Sequence, residues 1–305
     1  MMLRCIIRAV EPRRTGPHAA PAALPPWHDA GVTEQAERYD RIAKGYAEWW
    51  APVLAPAVDR LIGRSAPWLS DGAPRVLDIG TGTGQLAFGA LARWPAVSVV
   101  GVDASTGMRD MATSLAVRTL GDAASRFRAE VAFADSMPFA DDSFDVALSS
   151  FVFQLVPNRA RALREARRVL RPGGVLSFVS WLQDARVFQP DLIFDEVLDD
   201  IGIGAREPDG RSGDLPSVVR TAAELRRAGF SGATAEGDVL EHRFTVDGYL
   251  SFLSEFDEES LFDELDRKER EQVLSTMRRR LGALPADDMT MRFPIVFASG
   301  RRSGR

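Results

Sequence analysis

The sequence predicts an α/β protein built on a doubly wound, largely parallel sheet. Three observations predict it. Short apolar runs of β type alternate with amphipathic stretches of helical period from Arg75 to Trp181. The first run, Arg75 to Ile79, leads into Gly80-Thr81-Gly82-Thr83-Gly84, and a helical pattern resumes from Gln85 to Trp94. The second run, Val97 to Val102, stops on an acid, Asp103, about twenty residues beyond that turn. Glycine permits positive φ and lets a ligand approach the main chain closely. The turn amides and the helix start also offer unpaired donors, so the turn is built to hold something polar.

With 305 residues, 45% of them hydrophobic, the chain can bury a full core as one large domain or a core plus a cap. A net charge of -5 gives no overall footprint for nucleic acid, and Arg278-Arg279-Arg280 reads as a solvated helix face. No apolar run is long enough to span a bilayer. The single Cys5 excludes an internal disulfide framework and a cysteine-rich metal site, so no metal is expected. These features fit a cytoplasmic protein with no nucleic-acid partner; the oligomeric state is not legible.

Taken in order, Met1 to Gly31 carries five prolines without sustained periodicity and reads as a disordered leader or a start codon assigned too early. Its arginines also resemble a transit peptide. Thr33 reads as the N-cap of a helix that runs to Trp50 and is ended by Pro52, and Val53 to Leu69 as a second helix. After the two strands above come a helix from Ser105 to Leu120 and strands over Phe127 to Ala134 and Val146 to Phe151. A helix from Asn158 to Leu170 stops at Arg171-Pro172-Gly173-Gly174, ahead of a strand over Val175 to Trp181. Beyond it lie an inserted helix (Ala185 to Ile201), a loop (Gly202 to Pro216) and a helix (Ser217 to Gly229). Strands over Thr234 to Thr245 and Met291 to Ser299 enclose a helical insertion, Val246 to Leu281, acidic at Glu255 to Glu259 and basic at Arg278 to Arg280, a charge split typical of a solvated face. The expected division is a leader at 1–31, N-terminal helices and nucleoside-binding core at 32–182, a cap insertion at 183–216, and the end of the core at 217–305 with a helical insertion at about 246–288.

Alone, the glycine turn is ambiguous, because Gly82-x-Gly84-x-x-Ala87 also fits the dinucleotide pattern of oxidoreductases. Four segments together are more specific: Val76-Leu77-Asp78-Ile79-Gly80-Thr81-Gly82-Thr83-Gly84, Asp103, Asp135-Ser136-Met137-Pro138-Phe139 with Ser143-Phe144-Asp145, and Leu170-Arg171-Pro172-Gly173-Gly174 before an apolar run. With them the chain, from about Tyr39 to Phe230, resembles the class I S-adenosylmethionine-dependent methyltransferases, in particular the small-molecule group of ubiquinone and menaquinone biosynthesis.

That resemblance implies a Rossmann-like sheet of seven strands, the last antiparallel, with S-adenosyl-L-methionine as cofactor. It implies cofactor contacts from Asp78, Gly80, Thr81, Gly82, Gly84 and Gln85, and packing of Met108 on the adenine ring beside Ala104. Tyr39-Asp40-Arg41-Ile42-Ala43-Lys44-Gly45-Tyr46 matches a stretch that folds over the cofactor, with Tyr46 in contact, and Ser150 and Phe151 reach the same sheet edge. Asp103 suits both ribose hydroxyls, because a carboxylate accepts two bonds; its other reading is a helix cap. Asp135 can accept from the adenine amino group while the Ser136 and Met137 amides meet ring nitrogens.

Methyl transfer from a sulfonium is an in-line displacement that needs alignment and exclusion of water, with a general base only when the acceptor must lose a proton. No catalytic residue is assigned: Gln154 stands where many relatives carry histidine, and His242 falls in an expected strand with a structural role. Trp50, Phe153, Trp181, Phe188 and Phe252 are the candidate acceptor-pocket residues, and they point to a hydrophobic or aromatic acceptor. Ser149-Ser150-Phe151-Val152 lacks the Asn-Pro-Pro-Tyr type of motif used on nucleobases or glutamine. Two alternatives remain open at this point: a non-catalytic S-adenosylmethionine-binding regulatory protein and a nicotinamide-dependent oxidoreductase.

Overall fold

The computed structural model describes residues 30–184, 187–203 and 213–304; the expected leader and most of the loop at 202–216 lie outside the described residues. Seven strands form one sheet in the order β3-β2-β1-β4-β5-β7-β6. They are β1 (Arg75–Ile79), β2 (Ser98–Asp103), β3 (Phe127–Val131), β4 (Phe144–Ser150), β5 (Leu170–Trp181), β6 (Phe230–Arg243) and β7 (Thr290–Arg302). The first five are parallel, and β7 inserts antiparallel between β5 and β6. Strand order reverses between β1 and β4, which opens a crevice at their carboxyl ends.

Two-residue alternation divides the interior. Val76 and Val146 face one apolar layer, while Leu77, Ile79 and Ala147 face the other. The first layer is covered by α2 (Ala51–Leu69) and α3 (Gln85–Arg93); the second by α5 (Arg159–Val169) and α7 (Val218–Arg227). α4 (Thr106–Thr119) packs beside β2 and β3. Side-chain caps mark the helix starts, with Ser105, Asn158 and Ser217 each accepting a main-chain N–H of the first turn.

The N-terminal helix differs from expectation. α1 (Ala30–Gly45) already runs at Ala30, so Thr33 lies inside it, and Pro52 does not end it. A π-type turn, Tyr46–Trp50, carries α1 directly into α2, where Pro52 occupies the first turn, a position at which its missing N–H costs nothing. The Leu170-Arg171-Pro172-Gly173-Gly174 segment is likewise part of the sheet. Phe144 pairs with Leu170 and Val146 with Val175, so the extra residues bulge. A Cβ on Gly174 would stand 2.9 Å from the Asp145 carbonyl oxygen.

The two insertions come together. α6 (Gln189–Asp200) packs on α10 (Arg267–Gly282), with Arg280 paired to Glu196 and Asp200, and Phe194 stacks on Phe262 of α9 (Glu259–Glu264) at 6.1 Å. The acidic stretch is not the solvated face expected for it. Glu255 and Glu259 are exposed, but Asp257 and Glu258, at the end of a second π-type turn after α8 (Val246–Phe252), are buried. Nearby, Tyr249 donates its buried hydroxyl to Asp191 at 2.6 Å. Among the described residues no helix is long and apolar enough to cross a membrane, and no group of three ligating side chains could hold a metal ion.

Candidate active site

The glycine turn after β1 adopts the conformation its composition requires. Gly80, Gly82 and Gly84 have φ of 68°, 53° and 92°. A Cβ on Gly80 would lie 2.2 Å from Val152 Cγ2, so that position tolerates only hydrogen. The Thr81 N–H donates to the Val102 carbonyl at 2.9 Å and its hydroxyl to Asp78 Oδ2 at 2.8 Å, which fastens the turn to β2 and to its own strand.

Asp103, at the end of β2, completes the clamp. Its Oδ2 accepts from the Gly82 N–H at 2.8 Å and its Oδ1 from the Ser105 N–H at 3.0 Å. Burial pushes its carboxyl up to about 6; the bonds from Ser105 and Gly82 oppose this and the charge of Asp40 adds to it. Asp78 is buried, which raises it to about 7 against the Thr81 bond and with the charge of Asp103 adding. Among the described residues Asp78 Oδ1 makes no hydrogen bond of good geometry, and the Ala87 main-chain N–H lowers the carboxyl only in part.

A cavity of about 400 Å³ opens at this edge of the sheet. Of the expected cofactor contacts, Tyr46, Gly80, Gly82, Asp103, Ala104, Met108, Asp135, Ser150 and Phe151 line it. Asp78, Thr81, Gly84 and Gln85 stand behind that wall. Gln85 donates to the Ala51 carbonyl at 3.1 Å, and a Cβ on Gly84 would meet the Phe88 ring at 2.3 Å.

Ser136 and Met137 are corrections. Their amides are already used, Ser136 N–H on the Phe133 carbonyl at 3.0 Å and Met137 N–H on Glu165 Oε1 at 2.9 Å, and neither residue lines the cavity.

The five acceptor-pocket candidates also prove to be core. Phe153 packs on Phe178 in the second apolar layer with no exposure. Trp50, Trp181 and Phe252 form a cluster of tilted rings in the first layer, with ring centroids of Trp50 at 6.5 and 5.8 Å from the other two. Phe188 packs on Tyr249 under α6. None of the five lines the cavity. Tyr39, which opens the stretch expected to fold over the cofactor, does line it; what the sequence missed is Gln35 on α1 and Val152, Leu155 and Pro157 after β4.

Two residues hold that wall. Phe151 has φ of 55°, unusual for an aromatic, and its ring lies 4.3 Å from Trp181. Gln154 fixes it, donating to the Phe151 carbonyl at 2.6 Å while accepting from the Ser180 hydroxyl at 2.6 Å. The Tyr46 phenol is pushed far up by burial and by the charges of Tyr39 and Asp103, so it can donate a hydrogen bond but not act as a base at neutral pH. His242 is half-buried against Phe244 at 4.5 Å and lies outside the cavity.

Known proteins similar to this chain in sequence or fold are numerous. Residues 77–178 match the model of the methyltransferase domain family. A ubiquinone/menaquinone biosynthesis C-methyltransferase of Geotalea daltonii is 37% identical over 47% of this chain; the chain spans 63% of that relative's length. A demethylmenaquinone methyltransferase of Deinococcus radiodurans is 33% identical over 64% of this chain and 81% of its own. The chain belongs to the methyltransferase family. Among solved methyltransferase structures, a Haemonchus contortus phosphoethanolamine N-methyltransferase in complex with S-adenosylhomocysteine superposes with a TM-score of 0.54 at 19% identity, over 90% of this chain and 60% of that one, a likeness of fold. Family membership replaces the oxidoreductase alternative.

Proposed function

We propose that this methyltransferase-family chain is an enzyme that uses S-adenosyl-L-methionine to methylate a small, hydrophobic or aromatic acceptor. The observation that carries the reading is the Asp103 clamp. A carboxylate fixed by the Gly82 and Ser105 amides at the rim of a nucleoside-sized cavity keeps further lone pairs for two vicinal hydroxyls. Gly80 and Gly82 let such a ligand meet the main chain.

The bound cofactor supplies a methyl group on a sulfonium centre, transferable by in-line displacement. Asp103 binds and orients it, while Asp78, behind the wall, fixes the glycine turn through the Thr81 hydroxyl. Tyr39, Tyr46 and Phe151 wall off water and present aromatic faces, which suit both a cationic sulfur and an apolar acceptor. The hydrophobic character of the acceptor rests on these residues, not on Trp50, Phe153, Trp181, Phe188 and Phe252. Positioning carries the rate, and no residue is assigned as a base.

The test is product mass analysis after incubation with cofactor and a panel of phenols, quinols, amines and carboxylic acids. A gain of one methylene on any member supports the reading. Cofactor binding with no product across the panel favours the non-catalytic regulatory alternative.

A further inference from the structure

α1 contributes Gln35, Tyr39 and, through the turn that continues it, Tyr46 to the cavity wall, and Asp40 ties it to the opposite rim. Asp40 Oδ1 accepts from the Ser105 hydroxyl at 2.6 Å and from the Gly107 N–H at 2.7 Å. Gly107 permits this approach. A Cβ there would stand 2.8 Å from both the Cα and the carbonyl oxygen of Asp40. Ser105 in turn holds two cavity residues: its hydroxyl oxygen accepts the Met108 N–H at 3.0 Å, and its own N–H donates to Asp103 Oδ1.

We infer that Asp40 is a positioning residue that latches α1 onto the start of α4 and, through Ser105, sets Asp103 and Met108 for the nucleoside. This rests on the cofactor reading above. With the latch made, the wall that carries Tyr39 and Tyr46 is closed against α4; with it broken, that wall keeps its packing, including Tyr46 on Phe256 at 6.5 Å, but loses both bonds from the start of α4 to Asp40. Ligand release should therefore respond to Asp40 more than the fold does.

The experiment uses the full chain and S-adenosylhomocysteine, with equilibrium titration and stopped-flow dissociation on wild type, Asp40→Ala, Asp40→Asn and Gly107→Ala. Asp40→Ala should raise Kd about tenfold, mostly through faster dissociation and at unchanged stoichiometry, as expected for two lost bonds to a carboxylate. Asp40→Asn should stay within about threefold of wild type, because one oxygen takes both bonds and an amide oxygen can do the same. It should also move the acid limb of binding to lower pH. Asp40 is the charge that adds to burial in raising Asp103, while Asp78 from β1 and the neutral Tyr46 phenol from the end of α1 lie in the field of Asp103 itself. Gly107→Ala should mimic Asp40→Ala with Asp40 intact, and it decides the matter if Asp40→Ala does not fold. Wild-type affinity and release in both Asp40→Ala and Gly107→Ala would overturn the inference while leaving the cofactor reading standing. Absence of binding to the wild type would overturn that reading itself.

Discussion

Asp103 Oδ2 accepts the main-chain N–H of Gly82 at 2.8 Å, so the end of β2 holds the turn that follows β1. That bond joins two strands at the place where a parallel sheet of this order opens a crevice. The other features of the site depend on the turn staying where this bond keeps it.

Asp78 makes the protein's stability fall with pH. Its folded carboxyl is raised to about 7, so the folded state keeps a proton that the unfolded chain has already lost. The contribution is full below about pH 4 and disappears as pH rises through about 7. Urea midpoints of the ligand-free protein should drop between pH 5 and 8. Asp78→Asn should flatten that slope and, at pH 8, add up to roughly 4 kcal/mol. An unchanged slope in the variant would refute the assignment.

Gly80→Ala should lower stability by roughly 2–4 kcal/mol and abolish cofactor binding, because the new methyl enters Val152 and the residue must hold φ of 68°. Pairing it with Val152→Ala removes the collision but not the strained backbone, so the double variant should regain part of the loss. Thermal melts of the four proteins read this as a coupling energy. Simple additivity would argue against a direct Gly80–Val152 contact.

Much of this was legible beforehand, for identifiable reasons. Four of the five parallel strands announce themselves as apolar runs because both of their faces are covered, the edge strand β3 with Arg128 and Glu130 being the exception, and the glycine turn has a composition that few other structures need. The acceptor wall was not legible. Trp50, Phe153, Trp181, Phe188 and Phe252 carry no mark that separates a core aromatic from a pocket aromatic, and burial claims most large apolar side chains. Ser136 and Met137 failed for a different reason. The Met137 amide is taken by Glu165 on α5, which has no sequence signal linking it to that turn, and the Ser136 amide closes the local turn on the Phe133 carbonyl.

Phe153→Ala provides the corresponding test. Fully buried against Phe178, it should cost about 3–5 kcal/mol of stability, while the fraction that remains folded keeps the cofactor affinity of the wild type. A selective rise in the acceptor KM with normal stability would return it to the pocket.

Tyr249→Phe should cost about 1–3 kcal/mol, because it removes the hydroxyl donated to buried Asp191 without emptying any volume. Chemical denaturation of the variant measures it. An effect below about 0.5 kcal/mol would mean that the bond contributes little to joining α6 and α8.

The central claim is that the Asp103 clamp faces a nucleoside cofactor. The most direct measurement is calorimetric titration with S-adenosylhomocysteine at pH 7.5, comparing wild type with Asp103→Ala. The account predicts micromolar binding to the wild type and at least about 30-fold weaker binding to the variant, the loss expected for bonds to a charged acceptor. Equal affinity in the two proteins, or no binding to the wild type at millimolar ligand, would contradict it.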